Sequence, residues 1–109
     1  MKYLKYFENI KQVYKIGEFV IGQIDWDPDY VTKEEANDYL SHTAGEIVDV
    51  SINGDENDFV TLRYINLPID MFEDCENIIN YGLEEILRYA TEDEINIFKL
   101  KEKASKFNL

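Results

Sequence analysis

The sequence predicts an α+β fold, with short antiparallel strands in the middle of the chain and helices at both ends and in one insertion. Three observations carry that prediction. Two runs rich in β-branched and aromatic residues, 45–52 and 59–65, flank the turn cluster Asn53-Gly54-Asp55-Glu56-Asn57-Asp58, which is a hairpin pattern. Thr32-Lys33-Glu34-Glu35 and Thr91-Glu92-Asp93-Glu94 both have the capping-box form, a threonine with glutamate three positions on. Tyr3, Phe7, Ile10 and Tyr14 recur at i, i+4, i+7 and i+11, one face of a helix, with a short strand as the competing assignment.

Taken in order, the N-terminal helix gives way at Ile16-Gly17-Glu18 to a strand, Phe19-Val20-Ile21-Gly22-Gln23-Ile24. Trp26-Asp27-Pro28-Asp29 ends it, because proline lacks a donor and aspartate favours turns. A helix through Leu40 follows the first capping box, with Ala36, Tyr39 and Leu40 facing inward. In the second strand, opened by Gly45, Val48, Val50 and Ile52 make a cleaner apolar face than Ile47, Asp49 and Ser51. The return strand runs from Phe59 to Ile65. Ile69 to Asn80 is expected to be an acidic connection, Tyr81 to Glu85 a tight turn, and Ile86 to Tyr89 a final strand. The last helix runs to about Lys106, with lysines toward its C-terminal end, where the helix dipole favours them. The expected organisation is one domain over 1–109: an N-terminal segment 1–15, a β body 16–90 and a C-terminal helix 91–107.

The 109 residues are 45% hydrophobic and 14% aromatic, enough for a packed core. The 23 acids against 11 bases give a net charge of −12, which disfavours direct binding to DNA and points to basic or uncharged partners. That charge is segregated. Residues 18–94 hold 21 acids and three bases (Lys33, Arg63, Arg88), a net of −18, and each flanking end is +3. A body of that size is about 30 Å across, and a duplex of that length carries about 18 phosphates. Cys75 is the only cysteine, which excludes an internal disulfide and suits a reducing cytoplasm. No apolar run reaches membrane-spanning length, and the opening Met1-Lys2-Tyr3-Leu4-Lys5-Tyr6 lacks the apolar core of a signal peptide.

Candidate chemistry is sparse. Asp25, Asp27 and Asp29 alternate as in a calcium loop, but Tyr30 stands at the glycine position and Ala36 at the bidentate glutamate position. Ser41 and His42 are adjacent, so in a strand they would point to opposite faces, and no partner orients the histidine. No enzyme, metal or cofactor is expected. Trp26 and Tyr30 flank Asp27-Pro28-Asp29, giving aromatic anchors rimmed by acids, suited to gripping a basic protein surface. The candidate partner-binding residues are Asp25, Trp26, Asp27, Asp29, Tyr30, Asp55, Glu56, Asp58, Tyr81, Glu84 and Glu85.

Three strand motifs and one helix entry carry a resemblance. They are Lys15-Ile16-Gly17-Glu18-Phe19-Val20, Ala44-Gly45-Glu46-Ile47-Val48-Asp49-Val50, Phe59-Val60-Thr61-Leu62-Arg63-Tyr64, and Glu85-Ile86-Leu87-Arg88-Tyr89-Ala90-Thr91-Glu92-Asp93-Glu94-Ile95. In this order they resemble the small SH3-like barrel proteins encoded by phages and other large DNA viruses. Glu18 stands where that pattern has aspartate, and Glu92-Asp93 where it has Pro-Glu. The resemblance implies an SH3-like β-barrel and a viral origin, and no activity. Together with the charge, the expectation is a phage-encoded, non-enzymatic inhibitor of a host nucleic-acid-handling protein, such as a CRISPR effector nuclease, acting by nucleic-acid mimicry in the host cytoplasm. The alternative is a structural or accessory barrel for viral assembly. Monomer and homodimer are both open.

Overall fold

The structure, a computed structural model, describes residues 14–28, 30–54, 57–68, 71–72 and 77–107. The helix expected over 3–14 lies almost wholly outside them. The element order is β1 (Phe19–Gly22), α1 (Lys33–Leu40), β2 (Gly45–Ser51), β3 (Phe59–Arg63), β4 (Ile78–Gly82), a 3-10 turn (Leu83–Glu85), β5 (Ile86–Tyr89) and α2 (Glu92–Phe107). The five strands form one antiparallel sheet in the order β4-β3-β2-β1-β5. The fold is therefore α+β.

The sheet cannot be flat. Four strand spacings would put its two edge strands about 19 Å apart. Yet the link from β4 to β5 is the three-residue 3-10 turn, which rises only about 6 Å. The edges must roll toward one another. A direct contact shows it: a Cβ built on Gly22 of β1 would lie 2.8 Å from the ring of Tyr81 on β4, although β2 and β3 intervene in the hydrogen-bonded order. Glycine is required at 22 by that close approach. The roll is assisted by irregularities in register between Ile47 and Asp49 in β2 and between Ile21 and Gly22 in β1.

The β2 irregularity corrects one expectation. Ile47 is fully buried and Val48 is exposed, the reverse of the alternation read from the sequence. The extra residue changes the phase of the strand, so Val50 returns to the core side beyond it. A second correction concerns residues 78–82, which form strand β4 instead of the end of a loop and a tight turn. Ile79 and Tyr81 point into the core while Ile78 and Asn80 face out, and β4 pairs with β3 along its whole length.

The concave side of the rolled sheet encloses Val20, Ile47, Val60, Leu62, Tyr64 and Tyr81, closed by Ala36 and Leu40 of α1. The Tyr64 and Tyr81 hydroxyls meet at 2.7 Å in this core, and burial pushes the Tyr64 phenol well above its ordinary range. α2 covers the other side of β1. Phe98 packs edge-on against Phe19 at 4.9 Å between centroids. Arg63 on β3 joins Glu46 at 2.6 Å to Glu102 of α2 at 2.7 Å, pinning the helix across the sheet. Both threonines cap their helices as expected, and the full reciprocal box forms at Thr91. Glu35 N donates to Thr32 Oγ1 at 3.1 Å, and Glu94 N donates to Thr91 Oγ1 at 3.2 Å while Thr91 N donates to Glu94 Oε1 at 2.8 Å.

Candidate functional site

Three of the acidic segments singled out in the sequence meet around the 3-10 turn. Phe59 at the start of β3 is paired with both Ser51 and Gly82, so the described ends of the hairpin turn, at Ser51 and Phe59, lie beside the beginning of the 3-10 turn. Gln23 N donates to Glu85 O at 2.9 Å, which ties the loop after β1 to its end. That loop is in turn fixed to α1, because the Asn37 side chain accepts from Ile24 N at 2.8 Å and donates to Ile24 O at 3.1 Å. A side-chain amide here does the work of a neighbouring strand. Buried Ile24 and Pro28 root the loop, and between them Asp25, Trp26 and Asp27 are turned out to solvent.

The predicted residues divide into three groups. Asp25, Trp26, Asp27, Tyr30 and Glu84 are exposed, Trp26 by 42% and Tyr30 by 70%. Asp29, Asp55 and Glu56 lie outside the described residues. Tyr81, Asp58 and Glu85 have structural duties that correct their assignment to a binding surface. Tyr81 is a core residue bonded to Tyr64. Asp58 is 8% exposed and its carboxylate accepts from Asn53 N at 2.7 Å and Gly54 N at 3.0 Å, closing the turn around Gly54, whose φ is +90°. Glu85 is half-buried and accepts from Gly82 N at 2.7 Å, so its carboxylate braces the 3-10 turn. Acid counting could not separate these roles, because carboxylates that cap a turn and carboxylates that face water look alike in a sequence.

α1 adds two acids that the sequence did not single out. Glu34 and Asp38 are exposed at i, i+4 on the helix that Asn37 clamps to the Asp25 loop. Their spacing was the available signal. Of the three bases in the acidic body, Lys33 lies on α1 and the two arginines are engaged elsewhere. Arg63 is committed to Glu46 and Glu102, and Arg88 to Glu94 at 2.8 Å, so neither arginine of the acidic body pairs with the carboxylates around the 3-10 turn. The Arg88 guanidinium, with help from Thr91, holds the Glu94 carboxyl down at about 2.

Among the described residues no comparable cluster points to catalysis or metal binding. Ser41 donates its hydroxyl to Asp38 O at 2.7 Å as a helix C-cap, and His42 is an exposed residue after α1. Among the described residues no group of three His, Cys, Asp or Glu side chains comes together to hold a metal ion. No helix of the described residues is long and apolar enough to cross a membrane. Comparison with protein-family models, curated proteins and solved structures finds no match to the chain.

Proposed function

We propose that the chain is an SH3-like barrel that acts as a non-enzymatic acidic binding protein. Its partner would be a basic, nucleic-acid-handling host protein such as a CRISPR effector nuclease, which a phage-encoded chain of this kind would inhibit. The barrel assignment is supported by the strand order, the rolled sheet, the irregularity in β2 and the 3-10 turn between the last two strands. One observation carries the functional proposal: the loop that exposes Asp25, Trp26, Asp27 and Tyr30 is tied at Gln23 to Glu85, next to exposed Glu84 of the 3-10 turn.

The division of labour follows from charge physics. A −18 body raises the encounter rate with a positive channel, and that effect decays over about 8 Å at physiological salt. Contacts at the end of the approach are different in kind. Arginine or lysine over the Trp26 ring, with a carboxylate beside it, combines cation–π attraction and desolvation, the usual make-up of a binding hot spot. Acids therefore govern how fast the partner arrives, and the aromatics govern how long it stays.

The test begins with capture of the partner from nuclease-treated host lysate at low salt. Affinity is then measured from about 0.05 to 0.5 M salt, with and without duplex DNA as competitor. The expected result is a steep loss of affinity with salt and displacement by the duplex. Affinity that is flat with salt, or a partner that holds the duplex and this protein together, would overturn the proposal.

A further inference from the structure

We propose that α2 pairs with α2 of a second copy, antiparallel, to make a two-fold homodimer. The inference is independent of the acidic surface described above. Phe98, with the half-buried Ile95, Lys101, Glu102 and Ser105, marks the side of α2 that faces the sheet. Away from the sheet Asp93, Leu100, Lys103 and Ala104 are exposed, and Ile97, on the flank beside His42, Ala44 and Ile65, is 49% accessible next to Leu100 at 66%. An apolar pair left uncovered in the middle of a 16-residue helix is a contact surface without an occupant among the described residues.

Charge names the occupant. The outward face is acidic at its beginning, with Glu92 and Asp93, and basic toward its end, with Lys103. None of these three makes an ion pair with another described residue. Placing a two-fold axis between Ile97 and Leu100 sets Ile97 against Leu100 of the second copy and Asp93 against its Lys103. Both contacts occur twice by symmetry, as an isologous interface requires. The helix dipoles are then antiparallel, and Lys103 and Lys106 near the end of one helix approach Glu92 and Asp93 at the start of the other. A parallel pairing would oppose like charges at both ends.

One helix face is a small interface, so association should be weak, with Kd on the order of tens to hundreds of micromolar. The two bodies also repel through their net charge, so dimerisation should tighten when salt is raised from very low values. That is opposite in sign to the salt dependence proposed for the basic partner.

Sedimentation velocity over a concentration series tests it with four proteins: wild type, Leu100→Lys, Lys103→Glu, and the exchange Asp93→Lys with Lys103→Glu. All the substituted side chains are exposed, and circular dichroism checks that each variant folds. Expected are a concentration-dependent dimer for the wild type and a monomer throughout for Leu100→Lys. Lys103→Glu should weaken the dimer at least about fivefold, and the exchange should restore it to within about threefold of wild type. A wild type that stays monomeric to about 1 mM overturns the proposal. So does a dimer indifferent to Leu100→Lys, or an exchange no better than Lys103→Glu. Slow alkylation of a Leu100→Cys thiol in a monomer would show that residues 1–13 of the same chain cover the face, which also overturns it.

Discussion

Replacing Gly22 by alanine puts a methyl group where the rolled sheet leaves no room. Its Cβ would lie 2.8 Å from two ring carbons of Tyr81, about 0.8 Å inside normal carbon–carbon contact. The ring cannot simply swing away, because its hydroxyl is held by Tyr64 at 2.7 Å in the core. Overpacking of this kind costs about 1–3 kcal/mol, and breaking the buried hydroxyl pair adds about 1 kcal/mol. Gly22→Ala should therefore lose about 2–4 kcal/mol, against a total of about 5–15 kcal/mol for a domain of this kind. Urea unfolding followed by circular dichroism measures it. Gly82→Ala is the control: its Cβ meets only the end of the Glu85 side chain, at 3.2 Å, and the loss should stay below about 1 kcal/mol. Truncating the ring with Tyr81→Leu should make Gly22→Ala far less costly, a coupling above about 1 kcal/mol. If Gly22→Ala is nearly neutral, or the two changes add within about 0.5 kcal/mol, β1 does not pack on β4 and the rolled sheet is wrong.

Two further outcomes follow from the carboxylates that serve the fold. Glu94 titrates at about 2 in the folded chain against an ordinary 4.5, so its contribution is present above about pH 4.5 and is lost as pH falls toward 2. Glu94→Gln should flatten that part of the acid-unfolding curve and cost about 1 kcal/mol at neutral pH, a modest figure because the Arg88 partner is largely exposed. Asp58→Ala leaves the Asn53 and Gly54 amides without their acceptor and should cost about 2 kcal/mol, read as a fall in Tm of about 8–16 °C.

Most of the architecture was legible in the sequence wherever one strong local rule operated. Thr32 and Thr91 fixed where both helices start, since each hydroxyl accepts from a backbone N–H of the first turn and, at Thr91, the glutamate carboxylate accepts in return. The hairpin was legible because its turn is dense in residues that tolerate unusual backbone, such as Gly54. Two failures have a common cause. The face of β2 was misassigned because a single inserted residue inverts the alternation, and only the pairing with β3 reveals the insertion. β4 was missed because Ile78-Ile79-Asn80-Tyr81-Gly82 is short and follows an acidic stretch, and its strand character comes from β3. The candidate site divided along the same line. Exposure of Trp26 and Tyr30 agrees with their loop position, whereas Asp58, Tyr81 and Glu85 are consumed by tertiary contacts that no local pattern encodes.

The binding surface proposed above is the acidic ground around the 3-10 turn, with Trp26 as its anchor. Amide chemical shifts followed during titration with an oligo-arginine peptide test it most directly. Shifts should concentrate at residues 25–27, 53–54 and 83–85, with the Trp26 indole among the largest. Asp27→Asn with Glu84→Gln should also weaken binding far more than Asp49→Asn with Glu92→Gln, which removes the same charge elsewhere. Shifts spread evenly over β2 and α2, with equal losses for the two charge-matched pairs, would contradict that binding surface.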